Sequence, residues 1–382
     1  MRKRDFFKKV GTASVFGAMA LPAGRALAAA EGAASRNPEI NVRDFGAKGD
    51  GKTSDSAAIQ KAIDAAGEIC ATVYFPAGKY LCSELKLRPN TTLLGDPQWA
   101  YRGVSGAVLQ LDKPDAKCVV DISRAYGAHI RGLCLYCGEG FGAGACGILL
   151  NHAEGYSKKE DSVVVEDCKI TGFGADALRL CKVWLFIVRR NIFIGNKGAG
   201  VALTGWDGFV SDNQFSGNGG GGFVCREVGA TVMFTANRVE WNKRSGLEIG
   251  RGDAWNVTGN CFDHNWGPGL SARDVSDMAV CSNVFRRNGR IDAEHGADSS
   301  CHVRLENCKG ITVTGNSGAS GRDDGGTGNL SPRDAFVVSG CSCGMVTANA
   351  FYKGAMDACV RNLGGCSEDF LTGGNAFTRA VE

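Results

Sequence analysis

One unit of about 23 residues recurs through the chain, and no other feature restricts the fold so tightly. Copies begin NIFIGNKGAGVAL at Asn191, NQFSGNGGGGFVC at Asn213, NRVEWNKRSGLEI at Asn237, NCFDHNWGPGLSA at Asn260 and NVFRRNGR at Asn283. Later copies start at Asn316, Asn349 and Asn375, and a weaker one starts near Asp167. The third position is apolar in Phe193, Phe215, Val239, Phe262, Phe285 and Phe351, which reads as an inward ladder. The sixth is Asn196, Asn218, Asn242, Asn265 and Asn288, a stack in which amides can bond one another. The tenth is Gly200, Gly222, Gly246 and Gly269, expected to bend with positive φ. Val201, Phe223, Leu247 and Leu270 give a second inward ladder, and Val210, Phe234, Val257, Val280 and Val313 a third.

Three short strands in each such turn describe an all-β, single-stranded parallel β-helix. A leucine-rich repeat has a similar period, but its leucine pattern is absent. The 44% hydrophobic and 22% charged residues belong to a soluble globular chain rather than a disordered one.

Ahead of the rungs, INVRDFGAKGDG leads into SDSAAIQKAIDAAG and then VYFPAGKYL. Ile59, Ala62, Ile63 and Ala66 share one face of a short helix, with Ser54 or Asp55 placed to cap it. Such a helix can plug the open end of a solenoid, whose bare edge would otherwise invite association. This segment resembles the N-terminal signature of the pectate-lyase-like β-helix superfamily. The resemblance implies a right-handed helix with that N-terminal cap, and a superfamily holding lyases, glycosidases, epimerases and viral tailspikes. Some of its members trimerise, so a homotrimer is an expected assembly. The expected organisation is an export signal over 1–28, a linker over 29–37, the cap and first rungs over 38–100, and the β-helix proper over 101–382.

Arg2, Lys3, Arg4, Lys8 and Lys9 precede a short apolar run, and Ala26-Leu27-Ala28 offers a small-residue cleavage site. KRDFFKK, from Lys3, resembles the twin-arginine export motif with lysine as its first basic residue. A periplasmic or extracellular destination follows, and the apolar run is too short to span a membrane. Removing residues 1–28 takes away six bases and one acid, turning a formal charge of +3 into about −2. That balance gives no reason to expect nucleic acid as a partner. The 17 cysteines are odd in number and scattered, with one C-x-x-C at Cys134 and Cys137. They read as buried thiols behaving like small apolar side chains, and no metal set is assigned.

Strand alternation turns the fourth position outward: Ile194, Ser216, Glu240, Asp263 and Arg286. Rungs stack ~4.8 Å apart, so Glu240 and Asp263 are expected side by side, roughly 5 Å apart. Two carboxyls so close repel, and one tends to keep a proton, which is the division of labour of a retaining glycosidase. Glu240, beside the Trp241 indole, is the expected proton donor. The next column adds Trp241, His264 and Arg287, and across the glycine bend Glu248 points outward. The predicted catalytic set is therefore Glu240, Asp263, Glu248 and His264. Trp241, Trp266 and Trp206 are expected to support sugar rings, although Trp206 and Trp255 also suit corner packing. Arg286, Arg287, and Asp292, Arg322 and Asp323 from two insertions, complete the expected substrate contacts.

The ordered motifs of polygalacturonases are missing. Calcium pectate lyases, which are similar in fold, imply a different use of these residues: calcium held by Asp263, Glu240 and Glu248, with Arg286 or Arg287 as base. Phe262-Asp263-His264 resembles the Phe-Asp-Pro-His stretch of mannuronan epimerases without its proline. A secreted glycoside hydrolase acting on a polysaccharide or oligosaccharide, without cofactor, is the first reading. A polysaccharide lyase or uronate epimerase is the second, and a non-catalytic glycan-binding or structural solenoid the third.

Overall fold

The computed structural model describes residues 39–96, 100–138, 144–290, 296–320 and 331–380. Parallel strands coil through them in successive rungs, and every rung pairs with the next in register. Face 1 is a sheet of 13 strands among the described residues. It includes β1 (Gln214–Ser216), β2 (Arg238–Glu240), β4 (Cys261–Asp263) and β5 (Val284–Arg286). The other two strands of each rung share a second, bent sheet, which forms faces 2 and 3. β3 (Leu247–Ile249) lies on face 2, between Phe223–Cys225 and Leu270–Ala272. The expected all-β parallel helix is the fold observed.

All three apolar ladders point inward and are fully buried. On face 1 the rings stack as flat pairs, Phe193 on Phe215 at 5.1 Å and Phe262 on Phe285 at 5.0 Å. Such contacts add to the area each ring buries. The cap helix α1 (Ser56–Ile69) packs Ile59, Ala62, Ile63 and Ala66 against the end of this core. Its N-terminus differs from expectation. Neither Ser54 nor Asp55 caps it through the side chain: Asp55 accepts the N–H groups of Lys48 and Gly49 instead, and Ser54 donates to Asp112. Asp55 thus ties the preceding loop to the helix start, a role that residue type alone does not distinguish from capping.

Two polar ladders run through the corners flanking face 1. From Asn191 through Asn213, Asn237, Asn260, Asn283, Asn316 and Asn349 to Asn375, each amide donates to the Oδ1 of the next. The second joins Asn196, Asn218, Asn242, Asn265 and Asn288 in the same way. Asn242 shows the full bonding. Its Nδ2 donates to Phe215 O at 3.2 Å and to Asn265 Oδ1 at 2.9 Å, while its own Oδ1 accepts two N–H groups of Asn218 at 3.0 Å. A buried amide is tolerable only when satisfied in this manner.

The glycine column departs from the expected cause. Gly200, Gly222, Gly246 and Gly269 do not lie at positive φ. A Cβ on Gly246 would stand 2.7 Å from Gly269 O and 2.9 Å from Asn265 Nδ2. Close packing of the turn on the amide ladder demands glycine there. The cysteines follow the reading from sequence: ten of the 17 are buried, all are free thiols, and burial raises Cys134 and Cys146 to about 11.

The amide ladder yields a stability test. Asn242→Ala strands two Asn218 donors and the Phe215 carbonyl, so unfolding should become easier by about 3 kcal/mol, read from denaturant midpoints.

Candidate active site

The outward columns of face 1 bring together most of the residues singled out from the sequence. Ser216, Glu240, Asp263 and Arg286 are consecutive register partners. Glu240 and Asp263 are therefore neighbours on one face, as the spacing predicts. Their surroundings differ from the expected pair of solvated acids. Glu240 is 4% exposed; its Oε1 accepts from Gln214 at 2.9 Å and its Oε2 from Arg238 at 2.7 Å. Each oxygen is thus occupied by a donor from the neighbouring column, and Arg238 itself extends into solvent.

Asp263 is gripped by Arg287, whose Nε and Nη2 reach its two oxygens at 3.0 and 2.7 Å. This forked geometry is the strong form of an arginine–carboxylate pair. His264 Nδ1 stands 3.0 Å from Asp263 Oδ1. Burial pushes the Asp263 carboxyl up, but His264 and Arg287 outweigh it and hold the group below its ordinary value. Asp263 is accordingly a carboxylate and presents no proton for donation.

The next column is unusual for its backbone. In earlier rungs this position is Gly172, Gly195 and Gly217, all left-handed with φ of 77°, 66° and 64°. The same conformation is kept where the residue becomes Trp241, His264 and Arg287, with φ of 56°, 55° and 51°. A left-handed residue with a Cβ costs roughly 1 kcal/mol, so three consecutive large side chains here are placed against the local preference. Trp241 lies flat on the His264 imidazole, ring centroids 3.8 Å apart and planes 10° apart. The indole is 47% exposed and the imidazole beneath it is buried. Trp241 therefore backs His264, not Glu240 as the expected acid role required.

Arg286 is exposed beside Asp263 and makes no ion pair among the described residues. A strap at residues 100–103, between the strands Thr92–Gly95 and Ala107–Gln110, meets the same face. Lys169 Nζ donates to the carbonyls of Ala100 at 2.8 Å, Tyr101 at 2.9 Å and Gly103. The Tyr101 hydroxyl then meets Ser216 Oγ at 2.8 Å, one rung from Glu240. Tyr101, Arg238 and Gln214 are site residues that the sequence reading missed. The second strand position, which holds Gln214 and Arg238, did carry a signal, because it alternates outward with the fourth.

Other predicted residues fall elsewhere. Glu248 is on face 2, paired with Arg226 at 3.2 Å, so it cannot join Glu240 and Asp263 around one calcium ion. The alternation was right, but the bend between β2 and β3 turns the two strands onto different faces. Trp266 packs under the Arg290 guanidinium at 4.1 Å. Trp206 stacks on Tyr156 at 3.8 Å, on the strand Ala199–Ser211 of faces 2 and 3. Trp255 is core, its Nε1 donating to Gly229 O. Asp292, Arg322 and Asp323 lie outside the described residues.

Comparison with known proteins follows the same division between fold and site. Residues 39–105 match the family described as rhamnogalacturonase A/epimerase, pectate lyase-like. Among curated proteins, mannuronan C5-epimerase AlgE5 of Azotobacter vinelandii is 30% identical over 198 residues, 47% of this chain and 18% of its own. Alginate lyase 7 of the same organism is 63% identical over 46 residues, 12% of this chain and 5% of its own. The chain thus matches less than a quarter of the length of these relatives. Among solved structures, the A-module of A. vinelandii mannuronan C-5 epimerase AlgE6 has a TM-score of 0.65 at 17% identity, covering 88% of this chain and 98% of that one. DFA-IIIase from Arthrobacter chlorophenolicus A6 reaches 0.66 at 15% identity, covering 91% and 99%. At these identities the likeness is one of fold. Residues 113–229 and 224–331, together more than half of the sequence, match the right-handed β-helix region, and the chain belongs to that family.

Proposed function

We propose that face 1 acts on an acidic, uronate-containing polysaccharide by moving the proton α to the sugar carboxylate, as an epimerase or a lyase. The observation that carries this reading is the Arg286–Asp263–Arg287 arrangement with His264. It sets an exposed cation beside a fixed carboxylate and a shielded imidazole. A uronate carboxylate paired with Arg286 loses the charge that opposes removal of its neighbouring C–H proton. Asp263 orients His264 as proton carrier, the arrangement expected of a base held by a carboxylate. Tyr101, exposed on the strap, offers a phenol for the second proton transfer. Return of the proton to the opposite side of the ring gives the epimer, whereas departure of the neighbouring glycosidic oxygen gives an unsaturated end. The identity with curated mannuronan C5-epimerases supports the same substrate class.

A second reading, glycoside hydrolysis, keeps the support of Glu240 and Asp263 standing in register on one face. It requires one of them to hold a proton. The Arg287 fork favours the charged form of Asp263, and both oxygens of Glu240 are already taken up by donors from Gln214 and Arg238.

Incubation with polyuronates separates these readings. Inverted C5 signals in proton NMR, or absorbance of an unsaturated uronate, are expected; new reducing ends without unsaturation would favour the hydrolase. Arg286→Ala should lower kcat/KM by about 100-fold with an unchanged melting temperature, since an exposed, unpaired cation acts on substrate alone. Asp263→Asn removes the charge from the carboxylate that Arg287 grips in a fork and should lower stability by about 2–3 kcal/mol at pH 7. Because the folded state depresses the Asp263 pKa, its stabilisation is complete above the unfolded value of about 3.9 and is lost as pH falls through the folded value. Denaturant curves should therefore show the gap between wild type and Asp263→Asn closing below about pH 4.

A further inference from the structure

A cavity lies away from face 1, on the corner between faces 2 and 3. Most of its wall is residues 151–159, from the end of the strand Cys146–Asn151 and the connection that leads to Val163–Glu166. Its volume is about 730 Å³, within the range of small-molecule sites. Arg124, Tyr126, His152, Tyr156, Lys158 and Lys159 are prominent in its lining.

The loop is pinned from below. His152 Nε2 and Asp161 Oδ1, both buried, meet at 2.7 Å, and Asp161 Oδ2 accepts the Trp184 N–H at 2.8 Å. Tyr156 is braced by its stack on Trp206, and Tyr126 accepts a hydrogen bond from Ser157 at 3.1 Å. Both phenol rings of the lining are therefore held in place by contacts of their own, as a preformed site requires. The charges are unbalanced. Glu154, the acid in the lining, is matched by Arg124 at 3.4 Å. Lys158 and Lys159 have no carboxylate within 4.0 Å among the described residues; Lys159 instead stands 4.3 Å over the Tyr126 ring. Two unmatched ammonium groups beside two fixed aromatic rings suit a ligand that combines a carboxylate with a flat apolar ring face.

We infer that this corner is a second saccharide site, which binds a carboxylated sugar without transforming it. Its existence rests on this geometry, and only the choice of a uronate as ligand rests on the function proposed for face 1. A polymer held here stays tethered while another stretch of it occupies face 1. The same arrangement explains why Trp206, expected to support a sugar, is found far from the acids: it braces the ring that does so.

Titration calorimetry with a decamer of mannuronate tests this. Wild type should bind at two sites, and Arg286→Ala should weaken one and leave the other. Adding Lys158→Ala and Lys159→Ala should weaken that remaining site by about tenfold or more, with circular dichroism unchanged. The lysine pair alone should leave turnover of a uronate trimer unaltered, since a trimer has no second stretch to tether. Equal binding of a neutral glucan decamer, or full binding by the lysine variant, would overturn the proposal. Binding through Lys158 and Lys159 by a protein that transforms no polyuronate would sustain this site and reject the reading of face 1.

Discussion

Amide-to-amide hydrogen bonding between rungs is the constraint on which the rest of the molecule depends. A strand in a parallel stack could slip by one residue and keep many of its backbone bonds, but every side chain would change face. The asparagine ladders penalise that slip. Each Oδ1 takes two donors from one neighbouring rung, so displacement of a single rung strands buried polar groups on both sides. Register fixed in this way makes columns, and columns make the site. Ser216, Glu240, Asp263 and Arg286 are four rungs' contributions to one line.

The charged residues of that line illustrate how burial decides chemistry. Two adjacent acids on a bare sheet would compete for one proton. Here arginines from neighbouring columns reach both, Arg238 to Glu240 and Arg287 to Asp263, so each carboxyl group faces a cation. The result is a surface of alternating charge, with Arg286 left over for a ligand. Under the function proposed for face 1, the spare cation on this face is what would meet an anionic polymer.

What could be read from the sequence was what repeats. Inward phenylalanines and valines, corner asparagines and the amphipathic α1 each recur or carry a period, and all took the expected places. The juxtaposition of Glu240 and Asp263 was legible for the same reason. Single events were not. Nothing in the segment containing Tyr101 announces that it reaches Ser216, and the burial of Glu240 depends on side chains from the alternate column. Glu248 was placed outward correctly, yet a bend of a few residues put it on another face. The glycine column was found but misexplained, because sequence shows that a Cβ is absent without showing what it would have struck.

A stack of rungs is otherwise a nearest-neighbour object, in which each turn touches the ones above and below and assembly can spread from any starting point. The strap breaks that rule. Tyr101 and Ser216 are 115 residues apart, and the strap can dock only after the rungs bearing Lys169 and Ser216 have coiled beneath it. Closure of so long a loop is slow relative to local coiling. The docked strap is thus a late product of folding, and the scaffold can be complete while Tyr101 is still away from Ser216.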